Sequence, residues 1–284
     1  MHAPVSTVEP TAAGTQASVS GLYVYPVKSC RGIRVDSVQV AERGFADDRR
    51  WMIVDDAGQF ITQRQVTELC LVDTALDDDA IRLSAPGAGS VLLPRAHEQG
   101  DELQVTVWRH TGLAVRHTEG SAWISQVLGR ASSLVYMADR HERPVNPTHA
   151  RPGDKVSYAD GYPFLVISEA SLADLNARLE QPLGMERFRP NITVRGVAPY
   201  AEDEWTHVRM GELAFRAVKR CSRCTITTID PLTATKSKEP LRTLARYRRW
   251  DNEVWFGMNL IADGTGQLAL GDRVTLTAPG ASHG

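Results

Sequence analysis

Cysteine is scarce in this chain of 284 residues: four in all, at positions 30, 70, 221 and 224. So few in so long a chain exclude a disulfide-built scaffold and fit a reducing compartment, the cytoplasm. Long apolar runs are missing too. None approaches the ~20 residues that a membrane-spanning helix needs. Residues 1–18 hold no Lys or Arg and no apolar core. That excludes a secretory leader and an Arg-rich transit peptide, and the Ala, Thr, Ser and Pro content reads as a disordered tail. The net charge of -2 excludes nucleic-acid binding by bulk charge. No glycine-rich dinucleotide fingerprint, phosphate loop, Gly-x-Ser-x-Gly elbow, His-x-x-x-His pair or iron–sulfur cysteine run occurs. Any electrons this protein uses must come from a partner.

What is present is enough hydrophobic sequence, 42%, for one large core or two joined ones. Alternating apolar residues predict strands over 21–26, 33–41, 50–55, 71–75, 80–84, 103–108 and 134–138. Asp56-Ala57-Gly58 predicts a hairpin turn leading to 60–62. A helix is expected over 121–130, where Trp123, Val127 and Leu128 share a face. Residues 140–154 carry three arginines, three prolines and two histidines with no apolar period. This is a boundary between a domain over 19–140 and another over 150–280, and reads as a solvated connection or as a basic lid over a polar ligand. Beyond it, strands are expected over 164–167, 192–194, 208–210, 213–218, 256–262, 267–270 and 274–277. Ser168 is placed to cap one helix and Ser237 another that runs to Arg248. The fold class is α+β and β-rich, with barrel-like closure expected to remove free edges.

The chemistry gathers at Cys221-Ser222-Arg223-Cys224, followed by Thr225-Ile226-Thr227-Thr228-Ile229-Asp230-Pro231. Two thiols at this spacing suit a soft metal, redox chemistry or sulfur transfer. The β-branched run after them predicts a strand ended by the Asp-Pro turn, whereas a thioredoxin-type pair opens a helix. A structural zinc site would want a second ligand pair, and there is none. Three further segments supply cations and polar donors. They are Tyr25-Pro26-Val27-Lys28-Ser29-Cys30, Asp48-Arg49-Arg50-Trp51 and Phe188-Arg189-Pro190-Asn191. Together they suit a phosphorylated ligand rich in heteroatoms.

These motifs, with Ser168-Glu-Ala-Ser-Leu-Ala-Asp-Leu-Asn and the closing Phe256-Gly-Met-Asn-Leu, resemble the MOSC superfamily over about residues 20–278. The nearest branch holds the mitochondrial amidoxime-reducing component and bacterial YcbX-type proteins. The resemblance implies a MOSC barrel with flanking helices behind an N-terminal β-rich MOSC_N domain. It also implies a molybdenum cofactor (molybdopterin), with Cys224 as the protein's thiolate ligand to the metal. Ser222, Arg223, Lys28, Ser29, Arg49, Arg189 and Asn191 fall on the family's cofactor-contacting positions, and Asn259 on one where the mitochondrial proteins differ.

Asp230 reads either as a proton-handling group near the metal or as a turn residue. Cys221 reads as a second ligand or a structural neighbour, and Cys30 and Cys70 as core thiols. The implied reaction is two-electron reduction of an N–O bond in amidoximes, hydroxylamines or N-hydroxylated bases. Electrons would come from an external ferredoxin, cytochrome b5-like protein or flavoprotein reductase, with no membrane and no nucleic acid involved. Protons could enter through Asp230 or a histidine of 140–154, and the run 246–250 could dock an acidic donor or simply end a helix. The chain is expected to lack the C-terminal ferredoxin-like domain and the membrane anchor of its relatives. Two rival readings keep the same motifs. One is a cofactor carrier without turnover. The other is a sulfur-transfer module, which the lack of a pyridoxal-phosphate domain disfavours.

Overall fold

The computed structural model describes residues 16–276. Of the tail expected over residues 1–18, residues 1–15 lie outside them, while Ser18 already opens a strand, Ser18–Val24. Apolar side chains alternate along that strand and are buried at Val19, Leu22 and Val24. It joins a sheet built mostly from the other end of the chain. The strands run Val274–Leu276, His207–Met210, Leu213–Ser222, Glu253–Ala262, Phe164–Ser168, Ile192–Arg195, Ser18–Val24 and Ile33–Val35, with Arg249–Trp250 added beside Glu253–Ala262. All pairs are antiparallel except Phe164–Ser168 with Ile192–Arg195. Phe45, Phe164 and Phe215 pack edge-on at the centre of this sheet's core.

The barrel closure expected from the sequence is not formed as a ladder. The last strand meets the first through the single bridge Ser18–Arg273 and its flanking backbone hydrogen bonds. A second β-rich body lies over the middle of the N-terminal half. It has one sheet in the order Trp51–Val54, Ser133–Tyr136, His110–His117, Glu102–Val107, and a meander of Asp73–Leu76, Ala80–Ala85 and Gly89–Pro94. Helix α1 (Thr118–Leu128) packs Trp123 and Ile124 onto this body's core and ends at Gly129 in the left-handed region.

Several expectations change on contact with the structure. The run 33–41 breaks at Asp36 into Ile33–Val35 and Ser37–Ala41, and the second piece pairs with Gly266–Ala269. Residues 60–62 make only an isolated bridge, Val54–Phe60. The run after Cys224 is not a strand. Thr225–Thr228 forms a 3-10 turn, because the Thr227 N–H and hydroxyl both bond back to the Cys224 carbonyl. Helix α2 (Glu169–Asn176) is capped by Ser168 as expected, but the helix expected over 237–248 shrinks to α3 (Leu241–Leu244), led in by Pro240. Strands Gly89–Pro94 and His110–His117 were not legible at all.

Candidate active site

A cleft opens where short segments from both halves of the chain converge. It is lined by Lys28, Ser29, Arg49, Arg189, Asn191, Ser222, Arg223, Cys224 and Asn259, nine of the ten residues expected from the sequence, together with Asp160, Tyr162 and Cys221. Each arrives on a different device. Lys28 and Ser29 follow strand Ser18–Val24 in a turn, with Ser29 at φ +72°. Arg49 and Arg189 also sit at positive φ, +50° and +54°. Three non-glycine residues in left-handed backbone around one cleft is strain that the surrounding fold holds in place, a pattern of functional sites. Ser222, Arg223 and Cys224 end the long strand Leu213–Ser222, whose register slips between Ala217 and Lys219 and again between Arg220 and Ser222. Such bulges bend a strand and re-aim its end.

The polar groups are tied tightly. Asp48 is buried, accepts the Tyr25 N–H at 2.9 Å and pairs with Arg49 at 2.7 Å. Arg49 also donates to Asn191 Oδ1 at 3.1 Å, and the Arg49 and Arg189 guanidiniums each lie 4.3 Å from the Tyr25 ring centroid. Asn191 donates to the Tyr23 carbonyl and accepts from the Leu165 N–H. Arg189 donates to the Cys30 carbonyl, and burial lowers its basicity. Arg223 reaches the Phe188 carbonyl and Cys221 Sγ, and its Nε is buried without a partner. Asn259 donates to the Lys219 carbonyl from the neighbouring strand.

Lys28 is buried and donates to the Tyr158 carbonyl and to Asp160. Burial pushes its ammonium down to about 8, against the pull of Asp160. Partial desolvation disfavours charge on the half-exposed Asp160, but the Lys28 and Arg64 cations overcome it and hold the carboxyl far below the usual range. A group lowered to about 8 is charged at neutral pH and loses its proton as pH rises through 8 in the free protein. Affinity for an anionic ligand is therefore expected to hold up to pH 8 and to fall by up to about tenfold per unit above it. Titrations of extracted pterin cofactor at pH 7 and 9.5 check this, with Lys28→Met losing the dependence.

Asp230 is the residue the structure does not bring in. Its Oδ1 accepts from the Leu232 and Thr233 N–H groups and its Oδ2 pairs with Arg187 at 2.9 Å, contacts that hold its carboxyl below the usual range. It holds the turn and lies outside the cleft lining. Neither His141 nor His149 lines the cleft. The 140–154 segment is no lid. Its Arg143 is buried and donates to the Ser157, Ala159 and Asp160 carbonyls, so it fastens the strip that carries Asp160. In the 246–250 run, Arg248 is buried against Asp203 while Arg246 and Arg249 are exposed. Cys30 and Cys70 are buried core thiols.

Sequence reasoning missed Arg64, Asp160 and Trp108. Arg64 Nη2 lies 3.2 Å from Cys224 Sγ and 3.0 Å from Asp160. Among the described residues, no three His, Cys, Asp or Glu side chains gather as a metal nest. The donor set is two part-exposed thiols, Cys221 beside Arg223 and Cys224 beside Arg64, among the cations Lys28, Arg49, Arg64, Arg189 and Arg223. It fits a metal that brings its other ligands on an anionic organic carrier.

Residues 16–131 match the family model described as MOSC N-terminal beta barrel domain, and residues 153–275 match the MOSC domain. The mitochondrial amidoxime-reducing component 1 of Homo sapiens is 35% identical over 280 residues, covering 91% of this chain and 82% of that protein. The chain belongs to the MOSC family, in the branch of the amidoxime-reducing components. Component 2 of Homo sapiens is 32% identical over 90% of this chain and 82% of its own length. A molybdenum cofactor sulfurase of Oryza sativa subsp. japonica is 31% identical over 85% of this chain, which spans only 32% of that protein. Both MOSC segments contribute to the cleft, since Lys28, Ser29 and Arg49 stand in the N-terminal match and Arg189 through Asn259 in the C-terminal one.

Proposed function

We propose that this MOSC protein binds a molybdenum cofactor in the cleft and reduces N-hydroxylated compounds with electrons from a separate donor protein. The observation that carries the reading is the convergence of Cys224 with Lys28, Ser29, Arg49, Arg189, Asn191, Ser222, Arg223 and Asn259 around one opening. Relatives covering most of the chain that are named for amidoxime reduction support it.

The thiolate of Cys224 would be the protein's one bond to the metal. Lys28 and the arginines neutralise the carrier's negative charge. Arg223 Nε, buried and unpaired, supplies a donor for its heteroatoms. Ser29 and Asn191 orient the carrier by hydrogen bonds. When bound, the cofactor supplies the two-electron reduction of an N–O bond, the oxygen leaving as water. Arg64 holds its guanidinium beside the sulfur and fixes its direction. Among the described residues no helix is long and apolar enough to cross a membrane, and the electron donor is proposed to be a diffusible ferredoxin, cytochrome b5-like protein or flavoprotein.

The test is purification from a host that makes the cofactor, elemental analysis for molybdenum, and benzamidoxime turnover with a chemical electron donor. About one molybdenum per chain with benzamidine formed is expected. Molybdenum without turnover would make the protein a carrier, and a persulfide on Cys224 with no molybdenum would make it a sulfur-transfer module.

A further inference from the structure

Trp108 leaves 46% of its surface to solvent beside Asp160 of the cleft wall. It is the first of two residues joining strands Glu102–Val107 and His110–His117, where Val107 pairs with His110. Its φ is +55°, while Arg109 is not in that region. Positive φ at the first loop position alone is the habit of a turn that normally takes glycine there. A bulky aromatic in that place is an outlier that asks for a reason beyond the fold. The core gives none. The ring packs on Phe60 with centroids 5.2 Å apart, lies 4.8 Å from the Arg64 guanidinium, and its Nε1 donates to Asp160 at 3.4 Å. All three partners belong to the cleft's surroundings. Lys28 Nζ stands 5.6 Å from the Phe60 ring, and Arg64 touches Cys224 Sγ. The strained turn thus holds a partly exposed indole, packed on Phe60 and the Arg64 guanidinium, one guanidinium away from the thiol.

We infer that Trp108 is a specificity-determining platform on which planar, conjugated N-hydroxylated substrates stack, an inference that rests on the reaction proposed above. Aromatic stacking accepts any flat π-face. An aliphatic amidoxime offers none. The turn therefore holds substrate selectivity at the expense of local backbone comfort, a trade between stability and activity.

The experiment measures kcat/KM for benzamidoxime and acetamidoxime on molybdenum-loaded wild type, Trp108→Phe, Trp108→Ala and Trp108→Gly, with calorimetric binding of both compounds to the same proteins. The preference for benzamidoxime is expected to fall about tenfold in the Ala and Gly variants, through KM, and to survive in Trp108→Phe. Trp108→Gly is also expected to melt higher than wild type, because glycine relieves the turn. An unchanged preference, or a loss of kcat shared equally by both substrates, would overturn the assignment. If wild type turned over neither compound, the proposed reaction would fail on its own. The calorimetric arm would still decide the platform, since benzamidoxime binding untouched by Trp108→Ala overturns it.

Discussion

Cys224→Ala protein, made beside wild type in a host that supplies the cofactor, is expected to emerge without molybdenum and without benzamidoxime reduction. The Cys224 thiol stands in a cleft wall that also carries several cations and a second thiol, Cys221, whose sulfur Arg223 already engages. Removing the Cys224 sulfur leaves electrostatic attraction for the carrier but no bond to the metal. Partners that only orient a metal ligand cost about 10–100-fold when lost, so removal of the ligand itself is expected to exceed that. Cys224→Ser keeps the shape and puts a hard oxygen where a soft sulfur was, and should retain little metal. Cys70→Ala, in the core, should keep full occupancy and show only a modest loss of stability. Equal molybdenum in wild type and Cys224→Ala, read by elemental analysis, would remove Cys224 from its role.

Asp48→Ala is expected to destabilise the whole protein by about 3 kcal/mol, because breaking a buried ion pair strands the remaining charge. Asp48 is 1% exposed and holds both the Tyr25 N–H and the Arg49 guanidinium. With the carboxylate gone, Arg49 keeps Asn191, a long contact to the Arg189 carbonyl and the Tyr25 ring, none of them an anion, in its strained conformation. For a chain of this size the loss corresponds to roughly 6–12 °C in Tm, read by calorimetry. Cofactor occupancy should fall with it, since Arg49 would no longer be aimed at the cleft. Asp48→Asn keeps an oxygen for the Tyr25 N–H and should fall between wild type and Ala. If Asp48→Ala melted with wild type and kept its molybdenum, the carboxylate would not be the support of Arg49.

Residues that line the cleft were legible because they stand in short, tight motifs. Lys28-Ser29, Phe188-Arg189-Pro190-Asn191 and Cys221 through Cys224 each announce themselves by local chemistry, and the fold brings them together. Arg64 and Asp160 were not legible because their meaning lies in a tertiary encounter between Thr62-Gln63-Arg64 and Tyr158-Ala159-Asp160, neither of which has a pattern of its own. Asp230, read as a proton-handling group or a turn residue, falls outside the cleft lining. An Asp before Pro that accepts two following N–H groups is sufficiently explained by its turn. The β-branched run after Cys224 carried a strand signal, yet threonine hydroxyls turned it back on the Cys224 carbonyl, a competition that propensity does not see. Trp108 was read as the end of a strand, because nothing in the letters Trp-Arg predicts a tight turn where glycine is usual.

The place of strand Ser18–Val24 has a consequence for how the chain is made. One edge is covered locally by Ile33–Val35, but the other pairs with Ile192–Arg195, and Ser20 meets Thr193 across 173 positions of sequence. During synthesis the opening strand must wait for most of the polypeptide to leave the ribosome before that second edge is covered. The middle body, whose contacts are largely among its own strands, is free to form first, and the large sheet can be completed only near release. A nascent chain stalled between these points would present bare strand edge, the surface that chaperones exist to shield.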